Sequence, residues 1–283
     1  MHPGANLEFA RTENLSLDDA MARAAEVGYR FVEPYCYSNL ALPINSHLAI
    51  ESRSPYHHLH TEQANPREIN GLKRRYGLEF SALDAHASLL LPQVGVPYLC
   101  RAIDLAAEVE CPVVMSDEGP VPEWMPLDSG FDVMCVSLEA ILPHAQSRGV
   151  RYAMELHNAL TARPDMLERL LARFGPDELG VNFDTGNSFL AGNDPVAYLG
   201  RVADRVIHVH VKDIPESQLH ERGKVTGTRV GVAAGDGLLD LEGIVAVLAR
   251  AGYQGVLSVE CDTLQQARKS FAYLGTLLGG SED

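Results

Sequence analysis

Short apolar runs of β-type residues alternate with segments of helical period along the whole chain, and this alternation restricts the fold more than any other feature. Amphipathic segments such as Leu17–Val27 and Pro66–Tyr76 separate the apolar runs. The pattern is typical of repeated βα units around a parallel sheet. The predicted strands lie near Leu7–Ala10, Phe31–Glu33, Leu78–Asp84, Pro112–Met115, Val150–Leu156, Leu179–Asp184, Val206–Val211 and Val256–Glu260.

Eight βα pairs in 283 residues match the size of a (β/α)8 barrel. An open, doubly wound sheet is the rival architecture, but such sheets usually carry a Gly-rich phosphate-binding turn after the first strand. No G-x-G-x-x-G sequence follows the first predicted strand, and no linker rich in Pro, Gly or Ser divides the chain. We therefore predict an α/β fold with a single domain, a (β/α)8 TIM barrel spanning residues 1–283.

Charge and composition restrict the partners. The chain carries 38 acidic and 23 basic residues, for a net charge of −15, and has no run of Lys and Arg. A nucleic-acid-binding protein needs a basic face, so we expect no nucleic acid partner. No stretch approaches the ~20 apolar residues of a membrane span, and the N-terminus lacks the features of a signal peptide, so we expect a cytoplasmic protein without a membrane partner. The five scattered cysteines, without a C-x-x-C pair, indicate free thiols.

Four of the predicted strands in the second half of the chain end in a polar residue that is able to bind a metal. Glu155, Asp184 and His210 follow one another at intervals of 29 and 26 residues, each about the length of one βα unit of roughly 30 residues. The interval from His210 to Glu260 is 50 residues, because a long connection follows Lys212. Strand ends converge at the C-terminal mouth of such a barrel, so we predict one metal site made of these four side chains.

The four side chains would supply three oxygen donors and one nitrogen donor. This set suits one divalent ion, for which Mn2+ is favoured and Mg2+, Co2+ or Zn2+ are alternatives. For any one of these residues, a capped or salt-bridged strand end explains the sequence equally well. Four of them at equivalent depths favour a metal site, because acidic side chains are rarely buried without a partner.

Several longer motifs support the same site. They are Glu26-Val27-Gly28-Tyr29-Arg30-Phe31-Val32-Glu33, Ala153-Met154-Glu155-Leu156-His157, Asp184-Thr185-Gly186-Asn187, His208-Val209-His210-Val211-Lys212-Asp213, Gly235-Asp236-Gly237 and Gly252-Tyr253-Gln254-Gly255-Val256-Leu257-Ser258-Val259-Glu260. Together they resemble the xylose-isomerase-like superfamily of sugar phosphate isomerases and epimerases, which are metal-dependent TIM barrels. The resemblance implies that Glu155, Asp184, His210 and Glu260 ligate one divalent ion. It also implies that Glu155 and Glu260 are the catalytic acid and base groups.

Three histidines are further candidates for binding substrate. His157 lies two residues after Glu155 and therefore on the same face of its strand, and His208 has the same relation to His210. For both, a structural role is an equally good interpretation. His86 follows the third predicted strand and would line the pocket, as would Asp84 in the same segment.

Two candidate substrate-binding residues depend on the resemblance. Arg229 matches a family arginine that contacts substrate, although a plain surface arginine is the alternative. Asn187 stands where epimerases of free ketoses commonly carry His, and an amide can donate a hydrogen bond but cannot shuttle a proton. Glu33 closes the second predicted strand and, like His86 and Asp84, is a candidate for contact with a ligand. The single tryptophan, Trp124, could wall the sugar site or anchor its Pro-rich loop.

Two enzymatic functions follow from this site. The first is a divalent-metal-dependent isomerase or epimerase of a small carbohydrate, acting by proton transfer through a metal-stabilised enediolate. The second is a lyase or dehydratase that eliminates a β-substituent from a keto-cyclitol or 3-keto-glycoside. Asn187 and the long His-bearing connection after the second strand favour the lyase, because elimination needs a separate acid for the leaving group, which His57, His58 or His157 could supply. The isomerase or epimerase is nevertheless the first prediction, because it needs no loop residue.

Two other functions agree less well with the sequence. A DNA-repair endonuclease of the same superfamily would need a three-metal cluster and a basic face, against which the net charge of −15 argues. A non-catalytic binding barrel would not need the complete ligand set. We therefore expect a small-molecule carbohydrate as the partner, and the sequence leaves a homo-oligomer open.

Overall fold

The structure of the chain, a computed structural model, describes residues 1–38, 59–224 and 231–279. Two short strands, β3 (Cys36–Tyr37) and β4 (Leu59–His60), pair with each other in a separate small sheet. The main sheet contains the other strands of the described residues: β1 His2–Asn6, β2 Phe31–Glu33, β5 Glu79–Phe80, β6 Leu83–Asp84, β7 Val113–Ser116, β8 Arg151–Glu155, β9 Leu179–Asp184, β10 Val206–Val211 and β11 Val256–Val259.

The main sheet closes into a barrel at the third βα unit. Its order is β5-β2-β1-β11-β10-β9-β8-β7-β6, with parallel pairing throughout. The two end strands are separated only by Ser81 and Ala82, so β5 and β6 together form one interrupted barrel strand. Across this interruption Ser81 N donates to Val32 O at 2.9 Å, and Asp84 N donates to Pro34 O at 3.1 Å. The predicted (β/α)8 TIM barrel is confirmed.

The first strand lies earlier in the chain than Leu7–Ala10, where we predicted it. β1 ends at Asn6, and a short helix, α1 (Phe9–Thr12), begins inside the predicted strand, so that prediction was wrong. The strand lacks an apolar run because it packs closely between β2 and β11. A Cβ atom at Gly4 would lie 2.4 Å from Val256 Cγ1, so a larger side chain has no room there.

Helices surround the barrel, and several begin and end with capping interactions. The Ser16 hydroxyl accepts a hydrogen bond from Asp19 N at the first turn of α2 (Leu17–Val27), and Gly28 ends that helix with φ of +112°. At the last helix, Thr263 and Gln266 form a capping box. The remaining helices are α2 Leu17–Val27, α3 Pro66–Tyr76, α4 Pro92–Glu108, α5 Leu127–Arg148, α6 Pro164–Arg173, α7 Thr185–Leu190, α8 Pro195–Val202, α9 Leu241–Arg250 and α10 Leu264–Leu277.

The barrel interior becomes polar towards the C-terminal ends of the strands. A small apolar cluster comprises Ala82, Val113, Met115 and Ala153. Beside it, the buried Asn182 connects two histidines of β10. Asn182 Oδ1 lies 3.0 Å from His208 Nδ1, and Asn182 Nδ2 lies 3.2 Å from His210 Nδ1. The interior therefore has polar partners ready below the mouth, where the predicted site residues end their strands.

None of the helices in the described ranges is both long and apolar enough to cross a membrane. All five cysteines lie in those ranges, and none forms a disulfide.

Candidate metal centre

The structure brings the four predicted metal ligands together at the C-terminal mouth of the barrel. Glu155 and Asp184 are the last residues of β8 and β9, His210 lies near the end of β10, and Glu260 directly follows β11. His210 Nδ1 lies 3.6 Å from Glu155 Oε1, 3.9 Å from Asp184 Oδ2 and 3.6 Å from Glu260 Oε2. One imidazole nitrogen therefore faces an oxygen of each carboxylate, and all four side chains are buried.

Two carboxylate oxygens of this group indicate that a cation belongs here. Glu155 Oε2 and Asp184 Oδ2 are buried, and neither accepts a hydrogen bond from the described residues. Leaving a buried carboxylate oxygen without a donor is costly, and a bound cation would remove that cost. Glu155, Asp184 and His210 each offer one ligand atom, all within 4.8 Å of one another. This mixed oxygen and nitrogen donor set fits a divalent ion such as Mn2+ or Zn2+.

Burial and neighbouring charges shift the pKa values of Asp184 and Glu155 in opposite directions. Burial, opposed in part by Lys212, raises the pKa of Asp184 to about 7. Burial also acts to raise the pKa of Glu155, but the neighbouring His210 and His86 outweigh it and hold that pKa below its usual range. At neutral pH without a cation, a proton on Asp184 reduces the negative charge of the site. Cation binding should therefore release protons.

Glu33, at the end of β2, orients the imidazole of His210. Its Oε1 lies 2.8 Å from His210 Nε2, and its Oε2 accepts a hydrogen bond from the Ser258 hydroxyl at 2.5 Å. The carboxylate thus engages Nε2 and leaves Nδ1 directed at the other three carboxylates, an arrangement that metal-binding histidines commonly use. The sequence analysis named Glu33 only as a possible ligand contact. The signal for its role was its position as a charged residue that closes an apolar strand.

Lys212 is buried within the same site. Its Nζ lies 2.8 Å from Glu260 Oε1 and 3.7 Å from Asp184 Oδ2. Burial lowers the pKa of Lys212, but Glu260 and Asp184 outweigh it and raise the pKa above its usual value, so the lysine stays charged. Lys212 thus holds one oxygen of Glu260, while the other faces His210. The two predicted catalytic glutamates therefore have different neighbours, which the sequence did not show.

A second polar cluster lies on the β6 and β7 side of Glu155. His86 Nε2 is 2.9 Å from Asp84 Oδ1 and 3.6 Å from Glu155 Oε2, and His86 Nδ1 is 3.5 Å from Asp117 Oδ1. Asp117 Oδ2 is 3.1 Å from His157 Nδ1. Burial lowers the pKa of His86, but the carboxylates around it outweigh burial and raise the pKa well above its usual value. The sequence analysis did not name Asp117, which connects the two histidines.

The sequence of the barrel matches a known family. The sequence profile described as "Xylose isomerase-like TIM barrel" matches residues 21–277. The chain belongs to this family. The resemblance stated from the motifs is thereby confirmed.

Curated relatives match part of this xylose isomerase-like barrel. A protein named inosose dehydratase from Lacticaseibacillus casei is 28% identical over 163 residues, which is 53% of this chain and 51% of that protein. The rhizopine catabolism protein MocC of Rhizobium meliloti is 34% identical over 122 residues, or 40% of this chain and 37% of the relative. The chain thus spans about half the length of the first relative and 37% of the length of the second.

Solved structures share the fold over nearly the full length. A D-tagatose 3-epimerase-like protein superposes with a TM-score of 0.75 at 21% identity, covering 98% of this chain and 97% of the other. The IOLI protein, whose structure contains a zinc atom, superposes with a TM-score of 0.74 at 15% identity, covering 98% of both chains. At these identities the likeness concerns the fold alone.

The structure places the predicted substrate-binding residues of this xylose isomerase-like barrel at different depths. Asn187 Nδ2 donates to Glu155 Oε1 at 3.3 Å, so this amide lies at the candidate metal centre. His86 and His157 lie beside it in the second cluster, and His157 is the more exposed of the two side chains. His208 lies deeper, with Nε2 3.3 Å from Ser81 Oγ inside the barrel. Whether each of them binds substrate stays a prediction.

Three further candidates lie outside the described residues: Arg229 and the loop histidines His57 and His58. Trp124 is described and is 78% exposed in the connection between β7 and α5.

Proposed function

We propose that this chain is a divalent-metal-dependent lyase that removes water from a polyhydroxy cyclic ketone such as a keto-cyclitol. The observation that carries the proposal is the Asp117–His157 pair, which lies next to the metal centre and provides a titratable group in addition to the two glutamates. The partial relatives named inosose dehydratase support the same substrate class. Residues Glu155, Asp184, His210 and Glu260 would hold one divalent ion, for which we favour Mn2+ over Mg2+, Co2+ or Zn2+.

In an elimination, the residues around the site would have separate roles. A bound divalent ion supplies Lewis-acid polarisation of the substrate carbonyl. One glutamate, Glu155 or Glu260, removes the proton from the carbon next to the carbonyl. The electron pair forms the new C=C bond as the β C–O bond breaks, and His157 donates a proton so that the hydroxyl leaves as water. Asn187 would hold a substrate oxygen.

His157 has the properties that this step requires of an acid. Asp117 Oδ2 faces its Nδ1 at 3.1 Å, which leaves Nε2 to face the substrate. Burial acts to lower the pKa of His157, but Asp117 and Glu155 outweigh it and raise the pKa above its usual value, which favours the protonated form that an acid needs. Asp117 is itself fixed, because Asn158 Nδ2 donates to its Oδ2 at 2.6 Å.

Epimerisation or isomerisation of a small carbohydrate is the second candidate. Glu155 and Glu260 each place an oxygen 3.6 Å from His210 Nδ1, from strands on different sides of β9 and β10. Two such carboxylates could meet opposite faces of one carbon atom, which an epimerase needs. Epimerisation expels no group and needs no acid to protonate one, so it gives the Asp117–His157 pair no catalytic role.

Product analysis by NMR in D2O, over a panel of ketoses, inososes and 3-keto-glycosides, separates the two reactions. Release of water with formation of an unsaturated ketone supports the lyase, whereas deuterium incorporation with no loss of a group supports the epimerase. In the lyase, His157→Gln should keep proton–deuterium exchange next to the carbonyl and lose elimination. His144→Gln is the matched control, since His144 also pairs with an aspartate, Asp104 at 3.0 Å, but on outer helices. Elimination at the wild-type rate in His157→Gln would contradict the assignment.

The metal site has its own test. Asp184→Ala and His210→Ala should each abolish stoichiometric metal binding and turnover while the barrel stays folded, because both side chains lie at strand ends. Elemental analysis after dialysis, with circular dichroism as the folding control, measures this. Full metal content in both variants would refute the ligand set.

A further inference from the structure

The segment that carries His157 is held in place by the connection that follows the neighbouring strand. His157 lies between β8 and α6, in residues 156–163, and Asp117 and Glu118 directly follow β7, which pairs with β8. Asp117 faces the imidazole, with Oδ2 3.1 Å from His157 Nδ1. Glu118 faces the main chain of the same segment instead. Two consecutive acidic residues therefore contact different parts of one segment.

The Glu118 carboxylate makes three hydrogen bonds to that segment. Its Oε1 accepts from Leu160 N at 2.7 Å and from Thr161 N at 3.2 Å, and its Oε2 accepts from the Thr161 hydroxyl at 2.7 Å. Glu118 and Thr161 are 0% and 1% exposed, so these bonds are shielded from water. The carboxylate thus fixes residues 160 and 161, which lie three and four positions after His157.

Thr161 extends this constraint to His157. Its hydroxyl oxygen accepts from His157 N at 3.2 Å, while the hydroxyl donates to Glu118. The Tyr198 hydroxyl donates to Thr161 O at 2.8 Å and holds the same residue from α8. The main chain of His157 is therefore tied to Glu118 through Thr161, and its ring is tied to Asp117.

We propose that Glu118 is a positioning residue for the elimination, because through Thr161 it holds His157 where its proton can reach the leaving hydroxyl group. The proposal rests on the proposed function, which makes His157 the acid of that reaction. Position is decisive for such a step, since displacing a reacting group by about 1 Å can lower the rate by about 100-fold. The bonds of the Glu118 carboxylate lie outside the predicted metal centre, so proton removal next to the carbonyl should not depend on them.

Two pairs of variants separate positioning from folding. Glu118→Ala and Thr161→Val break the connection to His157 N. Glu118→Gln keeps it, because the amide oxygen can accept from both main-chain N–H groups while the amide nitrogen donates to the Thr161 hydroxyl oxygen. Burial, assisted by Asp117, raises the pKa of Glu118 to about 7, so the neutral amide is close to the charge state of the carboxyl group near neutral pH. Thr161→Ser also keeps the hydroxyl group.

The assay compares two rates in the metal-loaded protein with an inosose as substrate. NMR in D2O follows proton–deuterium exchange next to the carbonyl and formation of the unsaturated ketone. Glu118→Ala and Thr161→Val should keep exchange within about twofold of wild type and slow elimination by about tenfold or more. Glu118→Gln and Thr161→Ser should eliminate within about threefold of the wild-type rate.

Lys73→Met is the matched control for a loss of stability. Lys73 is buried, and its Nζ donates to Val109 O at 2.7 Å, but it lies in the last turn of α3, among the helices outside the barrel. Lys73→Met should lower the melting temperature and leave the ratio of the two rates as in wild type.

The outcomes distinguish this proposal from the proposed function. Wild-type elimination in Glu118→Ala and Thr161→Val, with elimination lost in His157→Gln, refutes the positioning role and leaves the lyase standing. Loss of exchange and elimination in equal proportion also refutes it, because this indicates a general loss of structure. Undiminished elimination in His157→Gln refutes the acid and its positioning together, and no elimination by wild type refutes the lyase and both of these roles. Thr161→Val preserves the shape of the side chain, so it decides the question if Glu118→Ala fails to fold.

Discussion

Replacing Glu33 should weaken metal binding although Glu33 does not touch the ion. Glu33 and His210 are both buried, and the carboxylate fixes the ring through Nε2 at 2.8 Å. Burial by itself raises the pKa of Glu33, but His210 and His208 outweigh it and hold the pKa below its usual range. Glu33 is therefore ionised and can only accept, so a proton remains on Nε2. Nδ1, which lies 3.2 Å from Asn182 Nδ2, is then the nitrogen directed at the predicted ligand carboxylates.

The magnitude follows from what each substitution keeps. In Glu33→Gln the amide oxygen can still accept from Nε2 and the amide nitrogen can donate to Ser258, so the geometry survives and only the charge is lost. A charge-assisted hydrogen bond exceeds a neutral one by about 1 kcal/mol, which predicts roughly fivefold weaker binding, since about 1.4 kcal/mol corresponds to tenfold. Glu33→Ala removes both bonds and should weaken binding by about 100-fold, the upper end for such partners.

Isothermal titration with MnCl2 at fixed pH measures these affinities. The matched control is Glu118→Gln, because Glu118 is also fully buried but is bonded to Leu160 N and the Thr161 hydroxyl, at 2.7 Å each. Glu118→Gln should bind Mn2+ as wild type does. Wild-type affinity in both Glu33 variants would show that packing alone orients the imidazole, and the reasoning would fail.

Three further predictions follow from particular contacts. Because the ion binds the native state only, chelation should lower the melting temperature by about 5–10 °C relative to protein in free Mn2+ at 100 times its Kd. Calorimetry with and without EDTA measures this difference. Burial raises the pKa of Glu118 from 4.5 to about 7, so its contribution to stability is complete below pH 4.5 and is lost as the pH rises through 7. In denaturant melts, the free energy of unfolding of wild type should then fall by up to about 3 kcal/mol relative to Glu118→Gln as the pH rises from 4.5 to above 7. Unfolding free energies of the two proteins that change in parallel with pH would contradict this. Gly186→Ala should destabilise the fold by about 1–3 kcal/mol, because its Cβ would lie 2.6 Å from Lys212 Cγ, whereas Gly200→Ala, with nothing within 4 Å, should not.

Local periodicity was sufficient to predict the architecture of the chain. The predicted ranges Leu179–Asp184 and Val206–Val211 match β9 and β10, and Leu17–Val27 and Pro66–Tyr76 match α2 and α3. These elements are determined by side-chain alternation and by caps within a few residues, which the sequence displays directly. Where tertiary packing overrides local preference, the prediction was wrong, as at β1, where the close approach of Val256 requires Gly4.

The convergence of the four strand-end side chains could also be predicted, because equal spacing along a repeating unit places residues at equal depth. The partners that complete the site could not. Glu33 meets His210 across 177 positions of sequence, and Asp117 meets His157 from the neighbouring strand connection. Nothing in the local pattern of either residue distinguishes it from an ordinary strand-end acid.

The sequence by itself thus determined the barrel, its approximate element boundaries and the set of ligand-type residues at its mouth. Only the tertiary structure decided that Nε2 of His210 contacts Glu33 while Nδ1 faces Glu155. It also decided that Lys212 pairs with Glu260, and that Glu155 lies between His86 and His210. The physical reason is that periodicity is a property of neighbouring residues. The pairing of a buried charge depends on closing the sheet, which brings residues that are distant in sequence within hydrogen-bond reach.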